Sequence, residues 1–446
     1  MDAPRQRRDA LQLWGGIECT VNRSGEHYID QLELTGHAER DGDIDMLVSL
    51  GMRMMRYPVL WERVAPDGLE RARWDWTDAR LERLRALGVT PILGLMHHGS
   101  GPRYTSLLDP EFPRKFAEYA RACAHRYPWL EWVTPINEPL TTARFSGLYG
   151  HWYPHRSNDS AFVRMLLNEC EGIRMAMREI RAVNPHARLI QTEDLGHTHS
   201  TPLLAYQAAF ETDRRWLTFD LLCGRVTPDH SLYRYLRRSG ASPGELHSFV
   251  DDPCAPDVLG VDYYVTGERY LDEELESYAA CSHGGNNGHA YADVDVARAQ
   301  PAERRGLYSL LMETWDRYGI PIAVTEAYLS CDDANEQLRW LDEGWHAAQA
   351  ARDDGCDVRA VTAWALLGTC GWDELVTRPG GRYDAGAFDV QSGAQDNGES
   401  AIPREIPRET PIAEMIRALA RHGWYEHEAL GQPGWWQQEA VAAGAV

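Results

Sequence analysis

Two short runs of the sequence place a glutamate directly after apolar residues. Glu138 follows Asn137 at the end of VTPIN and precedes Pro139, and Glu326 ends the run IAVTE at 322–326. A carboxylate is costly to bury unless a partner or a reaction uses it, so each glutamate either turns out to solvent or is a working group. Two carboxylates that face one bound molecule can act as a nucleophile and a general acid, which is the chemistry of retaining glycoside cleavage.

The segments that must position these glutamates repeat one pattern, an amphipathic helix followed by a short apolar strand. In residues 78–96, Leu81, Leu84 and Leu87 form a helical stripe, Gly88 ends the helix, and VTPILGLM follows as a strand. The pattern predicts eight strands, within residues 11–19, 52–61, 89–96, 130–139, 187–194, 256–265, 319–327 and 356–367.

Strands separated by helices are typical of parallel βαβ units. We therefore expect an α/β fold, a (β/α)8 TIM barrel, in which residues 1–446 form a single domain. The barrel is expected within about 11–420, and 421–446 would be a C-terminal extension. A doubly wound open sheet is the rival, but no Gly-rich phosphate fingerprint follows the first strand.

The charge of the chain narrows the range of partners. Its 446 residues include 45 Lys and Arg against 67 Asp and Glu, a net charge of −22. Nucleic acids and anionic membranes attract a positive surface, so we predict neither as a partner and favour a neutral substrate. No apolar run reaches the ~18 residues of a membrane helix. The sequence leaves a homo-oligomer open.

Nine cysteines, an odd number, stand singly in the sequence without a CxxC pair. This spacing indicates neither a zinc knuckle nor a disulfide framework. The N-terminal run MDAPRQRRDALQLWGG has no apolar stretch that would make a secretory signal convincing. We expect reduced thiols, a cytoplasmic location, and no cofactor or metal.

In a barrel of this kind the active site lies at the carboxyl ends of the strands. The residues predicted at those ends are polar or aromatic on every strand, which a solvated edge does not explain. They are Glu18, Arg56, His97, His98, Asn137, Glu138, Glu193, Asp194, Asp262, Tyr264, Glu326 and Trp364.

Seven stretches, in order along most of the chain, resemble glycoside hydrolase family 1, the β-glucosidase family. They are LWGGIECT (13–20), MRYPVLWERVAP (55–66), LGLMHHGSGP (93–102), WVTPINEPLTTARFSGLYGHWYP (132–154), DVLGVDYYV (257–265), AVTEA (323–327) and AVTAWALL (360–367). The resemblance implies a β-glycoside, small or oligomeric, as substrate.

The resemblance also implies roles for individual residues. Glu138 would be the acid/base and Glu326 the nucleophile, with Arg56 and Tyr264 in contact with the nucleophile. The remaining roles concern the sugar: Asn137 would bind a 2-hydroxyl, His97 a 3-hydroxyl, and Trp364 would form a platform under the ring.

The chain departs from the family at positions that hold the sugar. Glu18 stands where the family has glutamine, and Asp262 stands where it has asparagine. Gly371 replaces the glutamate that binds the 4- and 6-hydroxyls. Loss of that acceptor costs several kcal/mol for glucose, because a hydrogen bond to a charged group is worth ~1.5–3 kcal/mol, so glucose is not assumed. Trp372 is a candidate for a subsite wall or for a loop anchor.

Other interpretations remain open at this point. A metal-dependent hydrolase could use His97, His98 and the run EDLGHTH (193–199). Against it, adjacent histidines on a strand are expected to point to opposite faces. A transglycosylase would share the covalent intermediate, and a non-catalytic carbohydrate-binding barrel would lack one carboxylate of the pair. The segment 281–295 is either a surface loop or a lid, and we favour the lid.

Overall fold

The computed structural model describes residues 10–299, 304–392 and 402–438. The end of the predicted C-terminal extension, 439–446, and the first residues of the chain, 1–9, lie outside the described residues.

The strands are β1 (Gln12–Gly16), β2 (Val21–Ser24), β3 (His27–Asp30), β4 (Met54–Pro58), β5 (Thr90–His97), β6 (Trp132–Asn137), β7 (Arg188–Asp194), β8 (Thr198–Ser200), β9 (Val258–Tyr263), β10 (Arg269–Asp272), β11 (His283–Gly285), β12 (Ala290–Asp295), β13 (Ile322–Ala327), β14 (Val358–Ala363), β15 (Thr369–Cys370), β16 (Tyr383–Asp384), β17 (Phe388–Ser392) and β18 (Ile402–Glu409).

The α-helices alternate with these strands along most of the chain. They are α1 (Gln31–Leu34), α2 (Asp43–Val48), α3 (Trp61–Val64), α4 (Asp75–Ala86), α5 (Phe112–Arg126), α6 (Pro139–Ala143), α7 (Asp159–Val183), α8 (Ala205–Arg215), α9 (Leu217–Leu222), α10 (Tyr233–Arg238), α11 (Pro243–Asp251), α12 (Gly306–Tyr318), α13 (Ala334–Asp353) and α14 (Pro411–His422). Among the described helices, none is long and apolar enough to cross a bilayer.

Eight parallel strands close into a barrel in the order β1-β14-β13-β9-β7-β6-β5-β4, and β4 pairs again with β1. Each of the eight predicted strand regions contains one barrel strand, so the predicted (β/α)8 TIM barrel is confirmed. Because all eight strands run in one direction, their carboxyl ends share one rim.

A plug of apolar side chains fills the inside of the barrel below that rim. It consists of Trp14, Ile92, Ile190, Val258, Ala323 and Ala360, with Met54 and Trp132 packed against them. Every barrel strand contributes one member, and the outer faces of the strands pack against the helices in a second, larger core. Strands buried on both faces are therefore apolar until they reach the rim, where the polar residues begin.

The segment for which we favoured a lid is folded as a β-hairpin. Strands β11 and β12 pair antiparallel, and β12 extends through β10 to β8 in a four-stranded sheet. Its tip is tied to helix α8, because Asn286 donates to Gln207 Oε1 at 2.8 Å. The segment is thus part of a sheet beside the barrel, and a lid function remains a prediction.

The described part of the C-terminal extension packs against helix α13. Trp436 is buried, its ring lies 5.0 Å from that of Trp340, and its Nε1 donates to Glu343 Oε2 at 2.7 Å. This tryptophan anchors the extension on the outside of the barrel.

Candidate active site

The rim of the barrel buries a dense set of polar side chains. Those less than a tenth exposed are Glu18, Arg56, His97, His98, Asn137, Glu138, Asp262 and Glu326. Charged groups are rarely buried unless they are paired or used. The partners of each group therefore indicate what the site can do.

Glu326, at the end of β13, is held by two donors. Arg56 Nη1 donates to Glu326 Oε1 at 2.6 Å, and the Tyr264 hydroxyl donates to Oε2. Arg56 Nη1 also donates to the carbonyl oxygen of Thr325 at 2.9 Å, which fixes the guanidinium against the strand. Burial and the nearby Asp262 raise the pKa of Glu326 to about 8, although Arg56 and Tyr264 oppose the rise. These two donors stabilise the ionised form of Glu326, which burial disfavours.

Glu138 faces the same space with a different set of neighbours. It is 3% exposed and stands in the left-handed region at φ 43°, just before Pro139 begins α6. A non-glycine residue in that region is strained, and such strain concentrates at functional sites. Its Oε1 is buried and has no hydrogen-bond partner among the described residues. Burial, then Asp262 and Glu326, raise the pKa of Glu138 well above its ordinary value, so its environment favours the protonated form.

Asp262, on β9, lies between the two glutamates. One oxygen from each of Glu138, Asp262 and Glu326 lies within 4.8 Å of the others. Asp262 Oδ1 accepts from Thr325 Oγ1 at 2.6 Å and lies 4.0 Å from Arg56. Burial raises its pKa to about 6. The sequence marked Asp262 as a departure from the family pattern, but it did not reveal this central position.

The carboxylate of Glu193 anchors the turn that carries Glu138. Its oxygens accept from the backbone N–H groups of Leu140 at 2.9 Å and Thr141 at 3.3 Å, and from Thr218 Oγ1 at 2.6 Å. Those N–H groups belong to the first turn of α6, which has no intrahelical acceptor for them. The sequence indicated Glu193 as a strand-end carboxylate and a candidate metal ligand, but not this anchoring role, because its helix partners are distant in the chain.

Asn137 connects the donor network to two histidines. Its Oδ1 accepts from Arg56 Nη2 and from Thr192 Oγ1, so its Nδ2 is turned toward His97 Nε2 at 3.2 Å and His98 Nε2 at 3.5 Å. The expectation that His97 and His98 point to opposite faces is therefore wrong. Strand β5 ends at His97, and His98 adopts φ 52°, which breaks the alternation. Burial lowers the pKa of both imidazoles.

The predicted aromatic residues lie on opposite parts of the site. Trp364 is buried beneath Arg56, whose Cζ lies 4.6 Å from the ring centroid, and stacks with His97 at 5.7 Å. Trp372 is half-buried, 5.4 Å from the His98 ring. Its Nε1 is buried and has no partner among the described residues. An indole N–H in this state is available to a ligand oxygen.

Glu18 and Gly371 are two positions at which the sequence departs from the family pattern, and the structure shows the surroundings of each. Glu18 is 4% exposed and accepts from the Thr20 N–H at 3.0 Å; burial and then Glu326 raise its pKa to about 7. Gly371 adopts φ 71°, and a Cβ there would lie 2.6 Å from the Gly380 carbonyl oxygen. A glutamate at position 371 does not fit this backbone, so the glycine marks a rebuilt loop rather than a simple loss of one side chain.

The residues of the run EDLGHTH (193–199) that were considered as metal ligands do not converge. His199 pairs with Glu268 at 3.2 Å, while His197 lies 3.1 Å from Arg305 Nη1. The Glu193 carboxylate already accepts hydrogen bonds from the first turn of α6. In the described ranges, the group with ligand atoms close enough to hold a cation is the three carboxylates of Glu138, Asp262 and Glu326, which includes none of these histidines.

Comparison with known proteins finds one family over most of the chain. The model of the family described as "Glycosyl hydrolase family 1" matches residues 35–381. "Beta-glucosidase 47" of Arabidopsis thaliana is 22% identical over 389 residues, which cover 77% of this chain and 70% of that protein. "Thermostable beta-glucosidase B" of Thermobispora bispora is 25% identical over 405 residues, covering 82% and 79%.

Solved structures show the same fold. A family 1 β-glucosidase from Thermotoga maritima superposes with a TM-score of 0.71 at 14% identity, covering 93% of this chain and 98% of that one. The same enzyme in complex with deoxynojirimycin gives 0.71 at 15% identity, with the same coverage.

Proposed function

This chain belongs to glycosyl hydrolase family 1 and is a glycoside hydrolase; from that premise we propose that it is a retaining exo-β-glycosidase without cofactor or metal. The observation that carries the proposal is the close approach of Glu138 and Glu326, whose nearest oxygens lie within 4.8 Å. Retaining enzymes keep their carboxyl groups ~5–5.5 Å apart, whereas inverting enzymes need ~6.5–9.5 Å to admit a water.

In the first step Glu326 attacks the anomeric carbon while Glu138 gives its proton to the leaving oxygen. The donors on Glu326, Arg56 and Tyr264, support this assignment because such donors stabilise the ionised form of a carboxylate. Glu138 has no such donor among the described residues, and burial and the neighbouring carboxylates raise its pKa, which supports its role as the proton donor.

In the second step Glu138, now ionised, takes a proton from water, and the water oxygen displaces Glu326 from the anomeric carbon. Two inversions return the sugar with its original configuration. The anchoring of α6 by Glu193 keeps Glu138 in place for both steps.

The sugar would lie between Trp364 and the polar groups of Asn137, His97 and Glu18. The depth of Glu138 and Glu326, 3% and 2% exposed, supports release of a single terminal sugar. Because Glu18 is an acceptor and the loop at Gly371 is rebuilt, the sugar held there differs from glucose or is modified at the 3-, 4- or 6-position. Trp372 would form a wall next to the sugar.

We also propose a reducing compartment, the cytoplasm, for this protein. All nine cysteines are free thiols. Six of them are buried, namely Cys19, Cys123, Cys170, Cys254, Cys356 and Cys370. Buried thiols of this kind act as small apolar residues.

A panel of aryl β-glycosides that differ only in the sugar tests the function. Turnover of at least one of them is expected, with NMR showing the β-anomer as the first product. A first-formed α-anomer would rule out the retaining mechanism, and no turnover of any member would rule out the β-glycosidase.

A further inference from the structure

Three arginines form a cluster beside the proton donor that the proposed mechanism does not use. Arg144 begins the π-helical turn Arg144–Leu148, which continues helix α6, and Arg214 and Arg215 end helix α8. We call Arg144, Arg214 and Arg215 the arginine cluster. The chain as a whole is acidic, so a concentration of positive charge here needs a reason.

Two members of the arginine cluster have no ionic partner. Of the buried arginines Arg23, Arg56, Arg80, Arg214 and Arg215, only Arg214 has no carboxylate oxygen within 4.0 Å in the part of the chain that is described. It is 8% exposed, and the one hydrogen bond of its side chain to a described residue is a 3.4 Å contact with the Tyr149 hydroxyl.

Arg144 lies on the other side of that tyrosine. Its Cζ is 5.7 Å from the Tyr149 ring, and its Nε is buried without a hydrogen-bond partner within the described ranges. Like Arg214, it has no carboxylate oxygen within 4.0 Å among the described residues. Two guanidinium groups therefore lie beside Tyr149, and neither pairs with a carboxylate among the described residues.

The charges of Asp194 and Glu211 stabilise the charged form of Arg144 from a distance, but within the described ranges the only ion pair of the arginine cluster is that of Arg215 with Asp194. Asp194 Oδ2 accepts from Arg215 at 3.3 Å, a long contact for an ion pair. Burial lowers the pKa of Arg215, and the charges of Arg144 and Arg269 lower it further, although Asp194 opposes them. A buried charge without an ion pair, such as that of Arg214, costs several kcal/mol. Together with the buried, unpartnered Nε of the half-buried Arg144, it indicates a binding site for an anion.

The position of the arginine cluster identifies the part of the substrate concerned. Arg144 lies on the continuation of the helix that begins directly after Glu138, and Asp194 interacts with Glu138 as well as with Arg144. Glu138 is the group that protonates the leaving oxygen in the proposed function, so this is the leaving-group side of the site. Glu326 and its donors lie on the sugar side.

We propose that Arg144 and Arg214 bind an anionic group, a carboxylate or another oxyanion, carried by the leaving group of the glycoside. The inference rests on the proposed function for its orientation. A planar guanidinium matches an oxyanion with two parallel hydrogen bonds, and the exposed Tyr149 beside it provides an aromatic surface for the rest of the leaving group.

The test compares umbelliferyl β-glycosides with and without a 3-carboxylate, on the sugar that the glycoside panel identifies. The kcat/KM ratio of the carboxylated to the neutral substrate is expected to exceed one in the wild type. Arg214→Gln and Arg144→Gln should each lower that ratio about tenfold or more, because each removes a charge-assisted hydrogen bond. Arg178→Gln removes the same charge from an exposed pair with Asp252 and should leave the ratio unchanged.

Direct binding of umbelliferone-3-carboxylate and of umbelliferone, followed by fluorescence, separates this inference from the proposed function. If no glycoside is turned over, the proposed function fails, and the binding preference still decides on the arginine cluster. Thermal unfolding of each variant identifies loss of folding; Arg144 is only half-buried, so its variant retains the test if that of Arg214 does not fold. Equal ratios and equal binding of the two ligands in the wild type and both variants would overturn the inference.

Discussion

Replacing Asp262 with asparagine removes a negative charge from the centre of the site with little change in shape. Asp262 accepts from Thr325 Oγ1 at 2.6 Å, and an amide oxygen can keep that bond. Its pKa, raised by burial, is about 6, so above neutral pH the carboxylate is ionised. There it disfavours ionisation of Glu138, the group that must be protonated to release the leaving group.

The size of the effect follows from the separation. The two carboxylates have oxygens no more than 4.8 Å apart. At that upper limit, two unit charges interact with about 3.5 kcal/mol at an effective dielectric constant of about 20, and with about 0.9 kcal/mol in water. At 1.36 kcal/mol per pKa unit, Asp262→Asn should lower the pKa of Glu138 by about 0.6 to 2.5 units. The alkaline limb of the pH–rate profile moves to lower pH by that amount.

The assay is kcat/KM against pH for a neutral aryl β-glycoside that depends on protonation of its leaving group. Glu62→Gln is the matched control, because Glu62 is a buried glutamate that accepts from the Gly101 N–H, outside the rim. Its alkaline limb should stay at the wild-type position. An alkaline limb that stays in place or moves upward in Asp262→Asn would refute the electrostatic account of Glu138.

Glu326→Gln should abolish turnover of every β-glycoside, whereas the control Glu62→Gln should retain it. Normal turnover by Glu326→Gln in steady-state assays would show that another group is the nucleophile. Glu138→Ala should lower the turnover rate of substrates with poor leaving groups by about 10²–10⁴-fold and leave that of activated substrates nearly unchanged. Added azide should restore the rate and yield the β-glycosyl azide. Equal slowing of both kinds of substrate would contradict the acid role. Burial, then Glu193, raise the pKa of Glu169 well above its ordinary 4.5, and neither carboxylate oxygen has a partner among the described residues. The folded protein thus holds a proton that the unfolded chain releases above pH 4.5, and the free energy of unfolding falls by up to about 1.4 kcal/mol per pH unit from there to the folded pKa. Glu169→Gln should remove that loss, so its stability advantage in denaturant unfolding should grow from pH 5 to pH 8; a constant difference would mean that Glu169 is ionised when folded.

Local patterns and the family resemblance together predicted the barrel. Leucines at helical spacing, a glycine after the helix and a short apolar strand repeat along the chain, and each signal depends on residues within about twenty positions. The same patterns located Glu138 and Glu326 at strand ends. They did not locate the hairpin 283–295 in a sheet, because its pairing with β10 and its tie to Gln207 join distant segments.

The chemistry of the site depended on contacts that no local pattern reveals. His98 faces the pocket because of one backbone angle, φ 52°, at a residue where strand alternation predicts the opposite. Glu193 was recognised as a strand-end carboxylate, but its anchoring role was not. It accepts from backbone N–H groups more than fifty residues earlier in the chain, and the shorter of these hydrogen bonds, from Leu140, is 2.9 Å long.

By itself the sequence determined the closed parallel barrel and the two strands that deliver glutamates, because periodicity, turn residues and strand ends are local properties. Only the tertiary structure decided that Glu138, Asp262 and Glu326 share one space, that Arg56 and Tyr264 hold one of them, and that the arginine cluster retains unpaired charge. Distances, burial and the electrostatic coupling of buried groups arise only when remote segments meet, and these quantities set the protonation states on which the chemistry depends.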